Sequence, residues 1–196
     1  KNGRAPEREP ATCRAAMFFE ILLYALIVIA TVAAMEAFAW AMHKFVMHGR
    51  SGWGWHKSHH EETEGFFEKN DLYAVVFSLM AVALFFVGQA LSPVLLAIAW
   101  GITLYGLLYF VAHDGLVHQR WPFRYVPHRG YAKRLVQAHR LHHAVEGRDH
   151  CVSFGFLYAP PIDKLKAELR ASGVLDRERI DRSVTAQGSA HAPVRN

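Results

Sequence analysis

Three long apolar segments, separated by shorter polar stretches, dominate the pattern of this chain. The first covers residues 17–42, where Glu20 and Glu36 are the only charged side chains. The second and third cover residues 72–91 and 92–112, and neither contains a charged residue. Each is long enough to cross a hydrocarbon layer of about 30 Å as a helix rising about 1.5 Å per residue, and only a helix satisfies its own backbone there. The pattern predicts an all-α integral membrane protein with about three transmembrane helices.

A short uncharged connection joins the second segment to the third. Residues 88–93 read Gly-Gln-Ala-Leu-Ser-Pro, which is typical of a turn. The two helices are therefore predicted to form an antiparallel hairpin that leaves one side of the membrane and returns to it. The residues that follow the first segment and those that follow the third should consequently meet on the same side.

Ten of the thirteen histidines follow the first and third apolar segments, in two copies of one irregular pattern. Each copy has two histidines five residues apart, followed by a His-x-x-His-His triple. The first copy is His43, His48, His56, His59 and His60, and the second is His113, His118, His139, His142 and His143. Histidine is the commonest metal ligand and binds as the neutral ring. The sequence therefore predicts that these ten residues bind two metal ions in a histidine-rich helical cap on one side of the membrane.

The spacing within each copy has consequences for the local helix geometry. The histidines of each triple lie at i, i+3 and i+4, so each triple is predicted to direct three rings to one place. The paired histidines are five residues apart, about 140° around an ideal helix, which suits two ligands poorly. A π-bulge or an unwinding helix end would correct this, and such distortions are frequent at functional sites. Gly115, inside the second pair, is typical of a disturbed helix end.

The type of ligand narrows the choice of metal. Imidazole ligands suit zinc, copper, iron or nickel. A structural zinc site needs four ligands and is closed, whereas ten ligands give two ions about five nitrogens each and leave positions for O2. Iron changes oxidation state in its reactions with O2, which zinc does not. Two non-haem iron ions, with O2 as co-substrate, are therefore the favoured interpretation, with zinc as an alternative occupant after purification.

Two carboxylates lie close to the histidines along the chain. Glu36 precedes His43 by seven residues, about two turns below it on the same face, and Asp114 directly follows His113. An ionisable residue within a membrane segment indicates a function by default. Either carboxylate could orient a ligand imidazole, and Glu36 could itself be a ligand. The alternatives are helix packing for Glu36 and a solvated loop carboxylate for Asp114.

Basic residues predict the orientation of the protein. Lysine and arginine are more frequent on the histidine side, which places that face in the cytoplasm. Lys1, Arg4, Arg8 and Arg14, on the opposite side, count against this orientation. Attraction to anionic lipids accounts for the net charge of +5, and nothing in it indicates nucleic-acid binding. Some of these basic residues could instead receive an acidic protein partner: Arg120, Arg124, Arg129, Lys133 and Arg134.

The rest of the chain divides around this membrane domain, which we place at residues 17–172. Residues 1–16 form a polar N-terminal segment, and residues 173–196 have the composition of a disordered tail. Residues 162–171 are predicted to form a short amphipathic helix. Residues 151–158 are apolar but too short to span a membrane, so they should pack under the site or lie in the membrane interface.

Five stretches of the chain resemble the bacterial β-carotene hydroxylases, the carotenoid branch of the fatty-acid hydroxylase superfamily. The stretches are residues 53–61, 68–73, 113–124, 139–144 and 151–161. The histidines alone would indicate only the superfamily. The Trp-Pro-Phe-Arg sequence that begins at Trp121 and the Phe-Gly-Phe sequence that begins at Phe154 narrow the resemblance to the carotenoid branch.

This resemblance implies a non-haem diiron monooxygenase of the bacterial inner membrane. Its reaction would be the O2-dependent 3-hydroxylation of β-ionone rings, from β-carotene through β-cryptoxanthin to zeaxanthin, with 4-keto carotenoids as further substrates. The electrons would come from ferredoxin and its reductase, since the chain has no glycine-rich dinucleotide fingerprint and no cysteine set for an iron–sulfur cluster. We expect the carotenoid to rise from the lipid through a hydrophobic slot, with Gly101 and Gly106 making room unless they only allow close helix packing.

Two other functions remain as alternatives. The histidines do not exclude a fatty-acyl or sterol hydroxylase or desaturase of the same superfamily. A metal-ion transporter would need ligands near the bilayer midplane. Residues 72–112 contain no histidine and no charged residue, which argues against transport.

Overall fold

The computed structural model describes residues 11–61, 67–122 and 125–185, and within these ranges every regular element is helical. Three helical stretches are long and apolar enough to cross a membrane: Thr12–Met47, Asp71–Leu91 and Pro93–Val117. They coincide with the three predicted segments. The prediction of an all-α membrane protein with three transmembrane helices is therefore confirmed.

The membrane part consists of three helices and two π-helical extensions. Helix α1 (Ala11–Ala41) continues as the π-helix π1 (Met42–Met47), and α4 (Pro93–Tyr109) continues as π2 (Phe110–Val117). Helix α3 (Asp71–Leu91) precedes α4, and α4 packs against both α1 and α3. The predicted hairpin of α3 and α4 is thus present, and both π-helices lie at the same end of the bundle.

Glycines allow the close contacts of this bundle. A Cβ atom on Gly88 would lie 2.7 Å from the backbone nitrogen of Leu96, so glycine permits the tight turn of the hairpin. A Cβ atom on Gly101 would lie 2.5 Å from the Cβ of Thr31, so glycine also permits α4 to approach α1. The space that the sequence assigned to a substrate slot at Gly101 is therefore filled by Thr31. A Cβ atom on Gly106, by contrast, would meet nothing within 4 Å.

The apolar side chains of the three long helices point mainly outward. In the most apolar window of the first candidate span no residue is buried, and in those of the second and third 11% and 22% are buried. So large an exposed apolar surface is unusual for a soluble monomer. It is the surface expected of helices solvated by lipid hydrocarbon.

A helical cap covers the end of the bundle that carries π1 and π2. It contains α2 (Trp53–His60), α5 (Gly130–His143) and α6 (Ile162–Ser172), which confirms the short helix predicted at residues 162–171. Aliphatic side chains form its core, and the most deeply buried of them include Leu141, Leu165, Leu169 and Ile180. The cap therefore has its own small hydrophobic core outside the membrane helices.

The C-terminal region differs from the predicted disordered tail. Residues Arg177–Thr185 form a seventh α-helix, α7, which packs against α5. The reason is that Ile180 and Val184 lie one turn apart and are both buried in the core of the cap, an arrangement hidden by the polar residues around them. Residues 186–196, with His191, lie outside the described residues, as do residues 1–10 of the predicted N-terminal segment.

Candidate metal centre

Each histidine pair lies on a π-helix at the end of a membrane helix. The backbone N–H of His48 donates to the carbonyl of His43 at 3.0 Å, and that of His118 donates to the carbonyl of His113 at 2.9 Å. A hydrogen bond between residues five apart widens the helix and brings them to the same face. The ring centroids of the two pairs are consequently 5.1 Å and 4.5 Å apart. The predicted helix distortion is confirmed in both copies.

Eight of the ten histidines form two buried clusters of four. Cluster 1 consists of His43, His48, His56 and His142, and cluster 2 consists of His59, His113, His118 and His139. In cluster 1 the Nε2 atom of His56 lies 3.1 Å from those of His43 and His48. In cluster 2 the Nε2 atoms of His59 and His113 are 3.1 Å apart. Each cluster therefore directs four ring nitrogens to one place.

The remaining two histidines, His60 and His143, lie between the clusters. Their rings are stacked, with centroids 4.5 Å apart. The ring of His60 lies 5.0 Å from that of His48 in cluster 1, and the ring of His143 lies 4.6 Å from that of His139 in cluster 2. The structure thus brings all ten predicted histidines together and leaves one further ring beside each cluster.

Each copy of the histidine pattern contributes one residue to the cluster that consists mainly of the other copy. His59, the middle histidine of the first triple, belongs to cluster 2, and His142, the middle histidine of the second triple, belongs to cluster 1. The prediction that each triple directs its rings to one place is therefore wrong. Residues three apart on an α-helix are separated by about 4.5 Å along its axis, enough for one triple to reach two neighbouring clusters.

Neutral oxygens fix the orientation of the rings in cluster 1. The Nδ1–H group of His43 donates to the carbonyl of Phe154 at 2.9 Å, and that of His56 donates to the side-chain oxygen of Asn70 at 2.8 Å. Backbone carbonyls likewise accept from His48 and His142; they belong to Arg148 and Val152. With the proton on Nδ1, each ring presents the lone pair of Nε2 to the centre of the cluster.

In cluster 2, carboxylates accept the Nδ1–H hydrogen bonds of two of the four rings. Glu68 accepts from the Nδ1–H group of His59 at 2.9 Å, and Asp114 accepts from that of His113 at 2.8 Å. The structure therefore places Asp114 against a histidine, as the sequence predicted. Glu68 and Asn70 were not predicted as site residues, although both lie in a polar segment directly before an apolar helix.

The facing Nε2 atoms provide a test of whether the clusters fit a metal ion. Rings that carry their proton on Nδ1 have no hydrogen to place between two Nε2 atoms 3.1 Å apart, so these lone pairs face one another in a buried space. A cation at the centre removes this repulsion. Nitrogens that bind one transition metal at about 2.1 Å lie about 3 Å apart when they are adjacent ligands. Both clusters therefore fit a metal ion.

Burial favours the neutral form of five histidines that lie outside the membrane helices. It is the largest cause of the pKa shift in each case, and it lowers the pKa of His56 and His60 to about 3. Burial also holds the pKa values of His59, His139 and His142 well below their ordinary value. Neutral imidazole is the form that binds a metal, so no proton has to be removed first at neutral pH.

Among the described residues, Glu36 forms its hydrogen bonds with a loop and a tyrosine and with no histidine. Its Oε1 atom accepts hydrogen bonds from the backbone N–H groups of residues 156–158, and its Oε2 atom accepts one from the hydroxyl of Tyr105 at 2.9 Å. The same loop contains Phe154, whose carbonyl accepts from His43. Glu36 therefore fixes the loop that orients a cluster 1 histidine, rather than binding in the cluster itself.

Two aromatic rings cover the side of the clusters that faces the membrane helices; we call Tyr109 and Phe156 the aromatic floor. Phe156 stacks on His43 with centroids 5.0 Å apart, and Tyr109 stacks on His113 at 4.7 Å. The two floor rings contact one another at 4.8 Å. Of the two positions predicted for residues 151–158, the structure supports packing under the site.

Arg120 differs from its predicted role at a partner surface. Its guanidinium donates two hydrogen bonds to Asp71, at 2.9 Å and 2.8 Å, and these bonds raise its pKa. It also lies 3.9 Å from Asp114, so it belongs to the surroundings of cluster 2. Arg129 and Lys133 are exposed, whereas Arg124 lies outside the described residues.

The comparisons with known proteins agree with this geometry. The profile of the fatty acid hydroxylase family matches residues 11–166. The beta-carotene hydroxylase of one Paracoccus strain is 66% identical over 158 residues, which cover 81% of this chain and 98% of that protein. The beta-carotene hydroxylase of Pantoea ananas is 61% identical over 146 residues, which cover 74% of this chain and 83% of that protein.

No solved structure matches the chain. The family profile and both relatives nevertheless cover most of its length, and the range matched by the profile includes both histidine clusters. The chain belongs to the fatty acid hydroxylase family, in its beta-carotene hydroxylase branch.

Proposed function

We propose that this protein hydroxylates carbon 3 of the β-ionone rings of carotenoids, converting β-carotene through β-cryptoxanthin to zeaxanthin. The observation that carries the proposal is the pair of buried histidine clusters at one end of three apolar helices. Relatives named beta-carotene hydroxylase, 66% and 61% identical to this chain, supply the substrate class. The site places metal ligands at the ends of lipid-facing helices, which suits the oxidation of a hydrocarbon-soluble substrate.

Two non-haem iron ions are the proposed cofactors, with O2 as co-substrate. Cluster 1 with His60 and cluster 2 with His143 would each hold one ion through five imidazoles. Iron bound there supplies the redox chemistry that lets O2 hydroxylate an unactivated C–H bond. The protein contributes neutral ligands whose orientation is fixed by hydrogen bonds, in a site from which bulk water is largely excluded.

The aromatic floor is the surface that a carotenoid ring would meet first. A ring that rises from the bilayer between the helices reaches Tyr109 and Phe156 before it reaches the clusters, because both rings pack directly on cluster histidines. Their apolar faces suit a β-ionone ring. We assign them to positioning carbon 3 near the clusters and to excluding water from the reaction.

The alternatives fit less well. A fatty-acyl or sterol hydroxylase or desaturase would use the same histidines, but the relatives compared above are named for carotenoids. A metal-ion transporter would hold its ions near the bilayer midplane. In the described residues the histidine clusters lie at the ends of the helices, and α3 and α4 contain no histidine between residues 72 and 109.

The reaction needs electrons from a partner, for which we propose ferredoxin and its reductase. An acidic ferredoxin would be attracted to a basic surface, and such attraction between unlike charges speeds the encounter of two proteins. Arg129 and Lys133 are exposed at the start of α5, the helix that carries three cluster-region histidines at its other end. Helix α5 would connect a donor docked there to the clusters.

We place the histidine face in the cytoplasm, with the protein in the bacterial inner membrane. The excess of lysine and arginine on that face supports this orientation. Reporter fusions after residue 143 and within residues 88–92 should report the cytoplasm and the opposite side, respectively. The same compartment for both fusions would contradict the proposed topology.

Substitutions at two glycines of α4 would test the proposed path of the substrate. Gly106 is exposed and a Cβ atom there would meet nothing within 4 Å. Gly106→Leu should therefore leave folding and metal content unchanged but lower carotenoid turnover, because the added side chain narrows the slot. Pigment chromatography and elemental analysis of the purified variant measure the two effects.

Gly101→Leu is the matched control, since its side chain would collide with Thr31. It should lower the yield of folded protein, so turnover and metal content would fall together. If Gly106→Leu leaves turnover unchanged, or lowers metal content equally, then no substrate path passes this position.

Expression in a bacterium that accumulates β-carotene tests the proposed function directly. Chromatography of the pigments should show β-cryptoxanthin first and zeaxanthin later. A parallel strain that accumulates 4-keto carotenoids tests whether keto rings are also hydroxylated. Unchanged β-carotene in cells that contain the folded, metal-loaded protein would contradict the proposal.

A further inference from the structure

The two clusters differ in the charge of the groups behind their ligands. In cluster 1 all four Nδ1–H groups donate to neutral oxygens, three from backbone carbonyls and one from Asn70. In cluster 2 two of the four rings donate to carboxylates, those of Glu68 and Asp114. The ligand types of the two clusters are the same, so this difference would not be visible from the histidines alone.

One short segment of the chain supplies the contrast. Glu68 accepts from His59 in cluster 2, whereas Asn70, two residues later, accepts from His56 in cluster 1. Both side chains are buried, with 9% and 4% of their residue surfaces exposed. His56 and His59 are themselves one turn apart on α2. The segment therefore places a carboxylate behind one ligand and a neutral amide behind the other.

Charges near cluster 1 add to this difference, whereas Arg120, near cluster 2, is paired with Asp71 through two hydrogen bonds. A cavity of about 540 Å³ reaches His48 of cluster 1, and its lining includes Lys44 and Arg148. Asp149 also lines it, but this carboxylate is 74% exposed and lies 3.6 Å from Arg148. Cluster 1 thus borders a polar cavity with an excess of positive charge, whereas a buried carboxylate, that of Glu68, and a partly buried one, that of Asp114, support cluster 2.

We propose that cluster 2 binds its metal ion more tightly than cluster 1, and that the contrast between Glu68 and Asn70 sets this order. A carboxylate that accepts the Nδ1 proton raises the basicity of the ring and strengthens its bond to a metal. Negative charge close to a buried cation also stabilises it electrostatically, because screening is weak there. The inference rests on the proposed two-metal centre and adds an order of filling to it.

The order gives the two ions different exchange behaviour. The ion of cluster 2 is held by ligands with charged support and fills first. The ion of cluster 1 is bound less tightly, and the cavity at His48 provides a route for it to enter and leave. At limiting metal, the protein should therefore accumulate with cluster 2 occupied and cluster 1 empty.

A titration of the metal-free, full-length protein in detergent with Co²⁺ tests this order. Visible absorption follows binding, and elemental analysis gives the number of ions per chain. Two steps are expected, with dissociation constants that differ by about tenfold or more, the range that groups hydrogen-bonded to metal ligands contribute. Each step corresponds to one ion.

Two isosteric variants change the charge in opposite directions. Glu68→Gln should weaken the tighter step by about 10- to 100-fold, and Asn70→Asp should tighten the weaker step by a similar factor. Either variant should therefore bring the two steps together. Glu178→Gln, which makes the same chemical change on the exposed surface of α7, should leave both steps unchanged.

The outcomes separate this inference from the proposed centre. Two ions that bind with equal affinity in the unmodified protein would overturn the inference and leave the two-metal centre standing. The same holds if Glu68→Gln and Asn70→Asp, with unchanged helicity by circular dichroism, leave both steps where they were. A maximum of one ion per chain would overturn the two-metal centre as well.

Discussion

Replacing His142 with alanine is expected to abolish carotenoid hydroxylation and to cost the protein metal, while the chain stays in the membrane. His142 supplies one of the four Nε2 atoms of cluster 1 and lies 3.1 Å from the Nε2 atom of His48. Its loss removes a ligand that no neighbouring side chain can replace. Loss of a residue that is hydrogen-bonded to a metal ligand already lowers metal affinity or activity about 10- to 100-fold. Loss of the ligand itself should therefore reduce activity by more than about 100-fold.

Pigment conversion, elemental analysis and membrane fractionation measure the three parts of this expectation. His59→Ala should have the same effect, because His59 occupies the equivalent position in cluster 2. His128→Ala is a suitable control, since His128 is exposed on a loop and belongs to neither cluster. Full activity of His142→Ala or His59→Ala would show that the ten-histidine centre is wrong.

Glu36→Ala is expected to lose most activity and to lower the stability of the protein. The change leaves the backbone N–H groups of residues 156–158 and the hydroxyl of Tyr105 without their acceptor. Each buried polar group left unpaired costs about 1–3 kcal/mol. The loop that positions Phe156 under the clusters would move, and the carbonyl that orients His43 would move with it.

Glu36→Gln separates this role from direct metal binding. Glutamine retains a side-chain oxygen for the loop N–H groups, so it should restore most of the thermal stability and keep the metal content. Pigment conversion should recover with it. If Glu36→Gln folds normally but loses metal, then Glu36 acts as a ligand; if Glu36→Ala is fully active, the loop needs no such anchor.

The membrane architecture could be predicted because its physical signals are long and redundant. Twenty uncharged residues in succession have few stable structures other than a membrane helix, and the break at Ser92 and Pro93 identifies the hairpin turn. The shared side of the histidines follows from this topology alone. The five-residue spacing of His43 and His48 even predicted a distorted helix, because a regular α-helix would point the two rings apart.

The finer features of the site depend on contacts that leave little trace in sequence. Backbone carbonyls, such as that of Phe154, can accept a hydrogen bond in any residue, so the sequence does not reveal them. The exchange of His59 and His142 depends on how α2 lies against α5. Arg120 looked like a surface charge because its partner, Asp71, is 49 residues away along the chain. Gly101 looked like free space because Thr31 belongs to another helix.

The exchange of histidines between the two copies also has a consequence for biosynthesis. Neither cluster can be complete until the ribosome has produced α5, because cluster 1 needs His142 and cluster 2 needs His139. By then all three membrane helices have been synthesised. Metal must therefore enter a chain whose membrane part is already in place, as one of the last steps in maturation. Cells short of the bound metal would accumulate an inserted precursor that later metal supply could activate without new translation.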